Sequence, residues 1–164
     1  MQAIELIRWA MKLTDEGLAR VLEGLEATPL AQPGPQGGNH PLWIVGHLAV
    51  IEGSFAQTLL GEKNPVEHWW PLFGMGTQPQ LDASIYPPFA EVLATFRRLR
   101  ARNLELLDQF GEERLGETPR NVPPGFEEVM QTVGQTFLLN CLHSMVHYGQ
   151  ITDVRRVVGL KPLI

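Results

Sequence analysis

Two histidines stand four residues apart in the run Asn140-Cys141-Leu142-His143-Ser144-Met145-Val146-His147-Tyr148-Gly149-Gln150. A third, His47, lies far upstream in another apolar segment. Residues i and i+4 share a helix face, so the imidazoles of His143 and His147 can point at one atom. Three neutral imidazoles with an open fourth position make a site for a divalent transition metal that keeps room for water or substrate. Imidazole must be neutral to ligate and titrates near about 6.5 when unperturbed, so metal loss is expected below about pH 6.

These residues need helices to hold them. Ile4, Ile7, Met11, Leu18, Val21, Leu22 and Leu25 recur every three to four residues and predict a first helix over about 2–27. A breaker-rich stretch, Pro29 to Gly38, follows. Asn39 is the expected N-cap of a second helix over about 40–60, with Pro41 in its first turn and Gly61 as C-cap. Its inward stripe is Ile44, His47, Leu48, Ile51 and Phe55, and His40 at its start reads as exposed or capping. Residues 62–88 hold five prolines and the aromatic run His68-Trp69-Trp70-Pro71-Leu72-Phe73, a long functional-type loop in which His68 has no assigned role. A third helix is expected over about 89–110, with Phe89, Val92, Leu93, Phe96, Leu99, Leu104 and Leu107 inward. The last begins between 126 and 132 and runs to Val158, with Gly159 at its C′ position. Four amphipathic helices without strand-like alternation predict an all-α four-helix bundle, one domain over 1–164.

Composition narrows the function. The 164 residues are 44% hydrophobic with a formal net charge of −5 and no Lys/Arg run, which argues against a nucleic-acid surface. Arg97, Arg98, Arg100 and Arg102 lie among acids and read as a solvated helix face. One cysteine, Cys141, excludes an intramolecular disulfide and suits a cytoplasmic location. No signal peptide and no membrane-spanning run are expected.

The last helix has one stripe that needs explaining. Thr136, Asn140, His143, His147 and Gln150 step by four and three, a polar seam where a bundle expects apolar residues. A second face carries Val133, Phe137, Cys141 and Met145. Buried polar groups left unpaired cost about 1–3 kcal/mol each, and a metal would use several of them. Asn140 and Gln150 then orient ligands or bind substrate, while Trp69, Trp70 and Phe73 form an apolar wall of the site, cap the core, or do both. No phosphate-cradling glycine loop is present, and no Glu follows His143 in the HExxH manner. Cys141 projects roughly 160° from His143 and packs as a small apolar residue.

The pieces Asn39-His-Pro-Leu-Trp43-Ile-Val-Gly46-His47, Phe73-Gly-Met-Gly76 and His143-Ser-Met-Val-His147-Tyr-Gly149-Gln150 resemble the DinB-like superfamily of four-helix-bundle proteins. The resemblance implies an up-down-down-up bundle with a long loop between helices 2 and 3. It implies that His47, His143 and His147 bind a divalent metal, zinc or nickel above all, and that the chain forms a homodimer. Some relatives use a low-molecular-weight thiol, as bacillithiol or mycothiol S-transferases. Tyr148 stands where the family pattern often has Arg.

The leading functional expectation is therefore a metal-dependent thiol transferase acting on a small molecule, with no nucleic-acid or membrane partner. Metal-dependent hydrolysis is the alternative, through a metal-bound water. It lacks a general base: Glu52, five residues past His47, points about 140° away on a helix. A non-enzymatic metal-binding, stress-related module is the third reading.

Overall fold

The computed structural model describes residues 2–162 and contains five α-helices and no β-strand among them. Four are long: α1 (Ala3–Leu22), α2 (Pro41–Leu60), α4 (Phe89–Phe110) and α5 (Val133–Val157). The fifth, α3 (Trp70–Phe73), is a single turn inside the segment read from sequence as loop, with 3-10 turns at Glu67–Trp69 and Ala83–Ile85 on either side.

Helix ends follow local chemistry. Gln2 and Glu5 form a capping box at α1, and Thr132 and Gln135 form another at α5. Helix α1 stops earlier than its apolar period predicts, because Gly24 adopts φ 79° and Leu25–Ala27 continue only as a 3-10 turn. Leu25 is nevertheless fully buried, so the periodic signal there reports the core rather than the helix. The N-cap of α2 is His40, not Asn39. The His40 Nδ1 accepts from the Trp43 N–H at 3.1 Å, and its Nε2–H donates to the Gln80 carbonyl at 2.9 Å. His40 is therefore buried rather than exposed, and burial pushes its pKa below the ordinary value.

Two apolar clusters fill the bundle. One joins Leu18, Val21 and Leu22 of α1 to Leu42, Val45 and Leu48 of α2, Val92, Phe96 and Leu99 of α4, and Tyr148 and Ile151 of α5. The other joins Ile4, Ile7 and Met11 to Phe55 and Leu59, to Leu106, Leu107 and Phe110, and to Val133, Phe137 and Cys141. Helix α2 is buried on almost every face. It is long and apolar enough by composition to cross a membrane, contrary to the sequence expectation, but 83% of that window is buried inside the bundle. Its apolarity serves the core.

A charged layer runs through this core. Arg100, read from sequence as solvated, is enclosed between α1, α2 and α4. It donates to Glu52 Oε1 at 2.7 Å and Asp15 Oδ1 at 2.8 Å, and also to Thr14. Glu52 further accepts from Asn103 at 2.6 Å and Asn140 at 2.7 Å. Burial opposes the charge on Arg100, but Glu52 and Asp15 outweigh it and hold the guanidinium pKa above its ordinary range. Position 100 falls on the same inward arc of α4 as Val92, Phe96, Leu99 and Asn103. On α5, Met145 is exposed instead of inward, while Val133, Phe137 and Cys141 are buried as expected.

Candidate metal centre

The three histidines meet between α2 and α5. Their Nε2 atoms converge: His143 to His147 at 2.9 Å and His47 to His143 at 3.3 Å. In a tetrahedral site with metal–nitrogen bonds of about 2.0–2.1 Å, ligand nitrogens lie about 3.3–3.4 Å apart. Two of the separations are thus near ligating distance, and one ligand atom from each histidine lies within 4.8 Å of the other two. The group can hold a metal ion.

The surroundings fix which ring nitrogen faces the centre. The His47 Nδ1 lies 2.7 Å from the Phe73 carbonyl, which can only accept, so Nδ1 carries the hydrogen and Nε2 is a bare lone pair. The His147 Nδ1 donates to Gln150 Oε1 at 2.9 Å, and that oxygen also accepts from Asn39 Nδ2 at 3.2 Å. Both Nε2 lone pairs therefore aim at His143 Nε2, which can supply one hydrogen at most. The triangle is short of positive charge. A cation satisfies all three nitrogens at once, and such outer hydrogen bonds are what metal-ligating histidines ordinarily make. The Nδ1 of His143 is buried without a partner.

Electrostatics agree. Burial lowers the His47 pKa to about 4, the Phe73 carbonyl opposing and His147 reinforcing the shift. Burial, then His147 and His47, lower that of His143 to about 3. Burial lowers that of His147 as well, against the Gln150 bond. All three are held in the neutral form that ligation requires.

The remaining sequence candidates separate. Gln150 positions His147. The Asn140 side chain makes no hydrogen bond to a histidine: its Nδ2 donates to Glu52, and it lines a cavity of about 560 Å3 that His143 also borders. Trp70 is on that cavity wall. Trp69 and the Phe73 ring pack in the core instead, Phe73 stacking on Tyr86 with centroids 5.1 Å apart. Phe73 serves the site through its carbonyl, a role its side chain does not signal. Thr136 bonds back to the Thr132 carbonyl at 2.9 Å. His68 is exposed beside Trp69.

Trp43, part of the sequence motif around His47 but given no role there, belongs to the site. Its ring stacks on His47 with centroids 4.7 Å apart and planes 7° from parallel, and its Nε1–H donates to Thr77 Oγ1 at 3.1 Å. Thr77 in turn donates to the Gly74 carbonyl. Trp43 thus both covers His47 and pins the turn that presents the Phe73 carbonyl. The i,i+4 spacing of Trp43 and His47 was the available signal.

Gly46 allows that turn to approach. A Cβ there would lie 2.3 Å from the Phe73 ring. Gly46→Ala is expected to push Phe73 away, costing about 1–3 kcal/mol of stability through overpacking. It should also weaken metal binding by about 10–100-fold as the Phe73 carbonyl leaves His47. Chelator competition beside urea unfolding checks both, and unchanged metal affinity would show that the carbonyl is dispensable.

The protein is a helical bundle whose facing core helices bring three histidines together in a cluster that could hold a metal ion. The sequence model of the DinB superfamily matches residues 10–151, and the chain belongs to that superfamily. No curated protein matches the chain.

Proposed function

We propose that this protein holds one divalent metal, zinc or nickel, on His47, His143 and His147 and transfers a low-molecular-weight thiol to an electrophilic small molecule. The observation that carries the metal reading is the convergence of three Nε2 atoms, two of them locked as bare acceptors by Phe73 and Gln150. When bound, the metal supplies positive charge that favours a thiolate over a thiol. In the transfer, sulfur bonds to carbon, the carbon's leaving group departs as an anion, and the thiol proton goes to solvent. The chain's own residues hold the imidazoles neutral and oriented, and the cavity beside His143 receives the electrophile. The alternative of hydrolysis gains nothing, because Glu52 is committed to Arg100, Asn103 and Asn140.

The test is elemental analysis of untagged protein beside a His143→Ala, His147→Ala double variant. About one equivalent in the parent and none in the variant is expected, with thiol conjugation to a panel of electrophiles abolished by chelation. Metal without conjugation would leave a binding module, and no metal in either protein would end the reading.

The same proposal includes the up-down-down-up course of the helices, supported by the clusters that pair the early turns of α1 and α5 with the late turns of α2 and α4. It also includes a homodimer. Leu6, Trp9 and Leu13 of α1 and Leu138, Leu142 and Val146 of α5 are exposed, Trp9 at 59% and Val146 at 63%. These adjoining helices offer apolar faces of the kind that interfaces cover. Trp9→Asp with Leu142→Asp is expected to halve the mass seen in sedimentation, and a parent that already sediments as one chain would refute the dimer.

A further inference from the structure

The cavity that His143 borders is a groove with a direction. On α2 its lining runs from Ile51 to Thr58, and on α5 from His143 back to Thr136, each stretch rising about 10 Å along its helix. The two helices run in opposite directions, late α2 packing on early α5, so both stretches lead away from the histidines. The 121–130 connection closes the far end, where the Asn121 N–H donates to the Thr58 carbonyl at 2.9 Å. Trp70 and Met75 flank the near end, in the segment whose Phe73 carbonyl holds His47. The volume of about 560 Å3 falls in the range of small-molecule sites.

Its length is apolar and its polarity is at the ends. Ile51, Phe55, Phe126, Met130 and Leu139 make up much of the wall, and no Asp, Glu, Lys or Arg among the described residues lines it. Three of the polar side chains along it are spent on backbone. Ser54 Oγ donates to the Val50 carbonyl at 3.0 Å, Thr136 Oγ1 to the Thr132 carbonyl at 2.9 Å, and Asn121 Nδ2 to the Gln57 carbonyl at 3.1 Å. Gln57 and Thr58 add polar groups only at the end remote from the histidines. At the near end His47 and His147 are buried, while His143 is partly exposed and alone of the three borders the groove. The cluster is therefore approached past His143, and a metal would bring positive charge to that end only.

We infer that this groove binds a slender apolar molecule end-on: a chain or narrow ring system lies along α2 and α5, and an electron-pair-donating head group sits beside His143. The inference deepens the proposed function by naming the substrate class as an apolar-tailed electrophile, and rests on that function in making the His143 end the reacting end. Thr136 and Met130, near the remote end, set the length of tail that fits.

Calorimetry with a series of straight-chain amides, butanamide to decanamide, tests the groove on metal-free protein. Affinity is expected to rise about tenfold for each added pair of methylenes and to level off after octanamide, as the chain outgrows the groove. Thr136→Met should cancel the gain of octanamide over hexanamide and leave butanamide unchanged. Met130→Trp, on the facing connection, gives the same reading without altering a helix, should Thr136→Met fail to fold. On zinc-loaded protein, octanohydroxamate should bind at least about tenfold more tightly than octanamide, an advantage absent from metal-free protein, because only the hydroxamate head chelates. Affinity that ignores chain length, or that Thr136→Met and Met130→Trp lower equally for short and long amides, would overturn the inference. So would equal binding of hydroxamate and amide by zinc-loaded protein. The two readings fail separately. Length-limited amide binding by a protein that takes up no zinc would sink the metal centre and keep the groove, whereas zinc uptake with no dependence on chain length would do the reverse.

Discussion

Arg100→Met is expected to destabilise the protein by about 3–5 kcal/mol, the usual cost of removing one partner from a buried ion pair. The side chains of Arg100 and Glu52 are 2% and 1% exposed, so water cannot take over the abandoned charge. Two amides, from Asn103 and Asn140, would remain on Glu52, but neither carries charge. Asp15 is affected less, since its side chain is 34% exposed. Adding Glu52→Gln to Arg100→Met removes the stranded charge while leaving an oxygen for the two amides, and should recover most of the loss. Urea unfolding of the two single variants and the double variant gives the coupling directly. Additive effects would mean that the pair does not interact as the geometry requires. Metal content of folded Arg100→Met should be unchanged, because the network touches none of the three histidines.

That network was hidden in the sequence for a definite reason. A run with Arg97, Arg98, Arg100 and Arg102 among acids reads as a solvated face, since isolated charges are expelled from cores. Only the partner made burial affordable, and Glu52 lies on a different helix, so no local pattern joined them. The signal was positional: Arg100 and Asn103 share the inward arc with Phe96 and Leu107. The four long helices were legible because apolar residues recur at helical spacing over several turns between breaker-rich segments, and the i,i+4 pair His143 and His147 was legible as ligand spacing. The Phe73 carbonyl was not, because a backbone acceptor leaves no mark on residue type. Asn39 shows the converse. Its type suited a helix cap, yet His40 took that place and Asn39 bonds to Gln150 across the bundle. Local propensity gave a sound list of polar residues near the α2 start, and tertiary contacts decided which did what.

Acid should begin to destabilise the metal-free protein at a pH where the metal site is still occupied, and metal should be held to a lower pH than unperturbed imidazoles would allow. The unfolded histidines titrate near about 6.5, whereas burial lowers His47 to about 4 and His143 to about 3 in the folded protein. Between those values the unfolded chain binds more protons, so stability falls as pH falls. The contribution is fully present above about pH 6.5 and is lost progressively toward pH 4, His47 alone accounting for on the order of 3 kcal/mol. Protons compete for a folded metal site only near the folded pKa. Occupancy should therefore hold at pH 5.5, below the limit of about 6 that free imidazole sets, and fall toward pH 4 together with the fold. Equilibrium dialysis from pH 8 to 4, run beside urea unfolding of the metal-free protein, measures both. Half-loss of metal near pH 6.5 with flat stability would mean that the imidazoles are solvated and that the buried, neutral triangle is wrong.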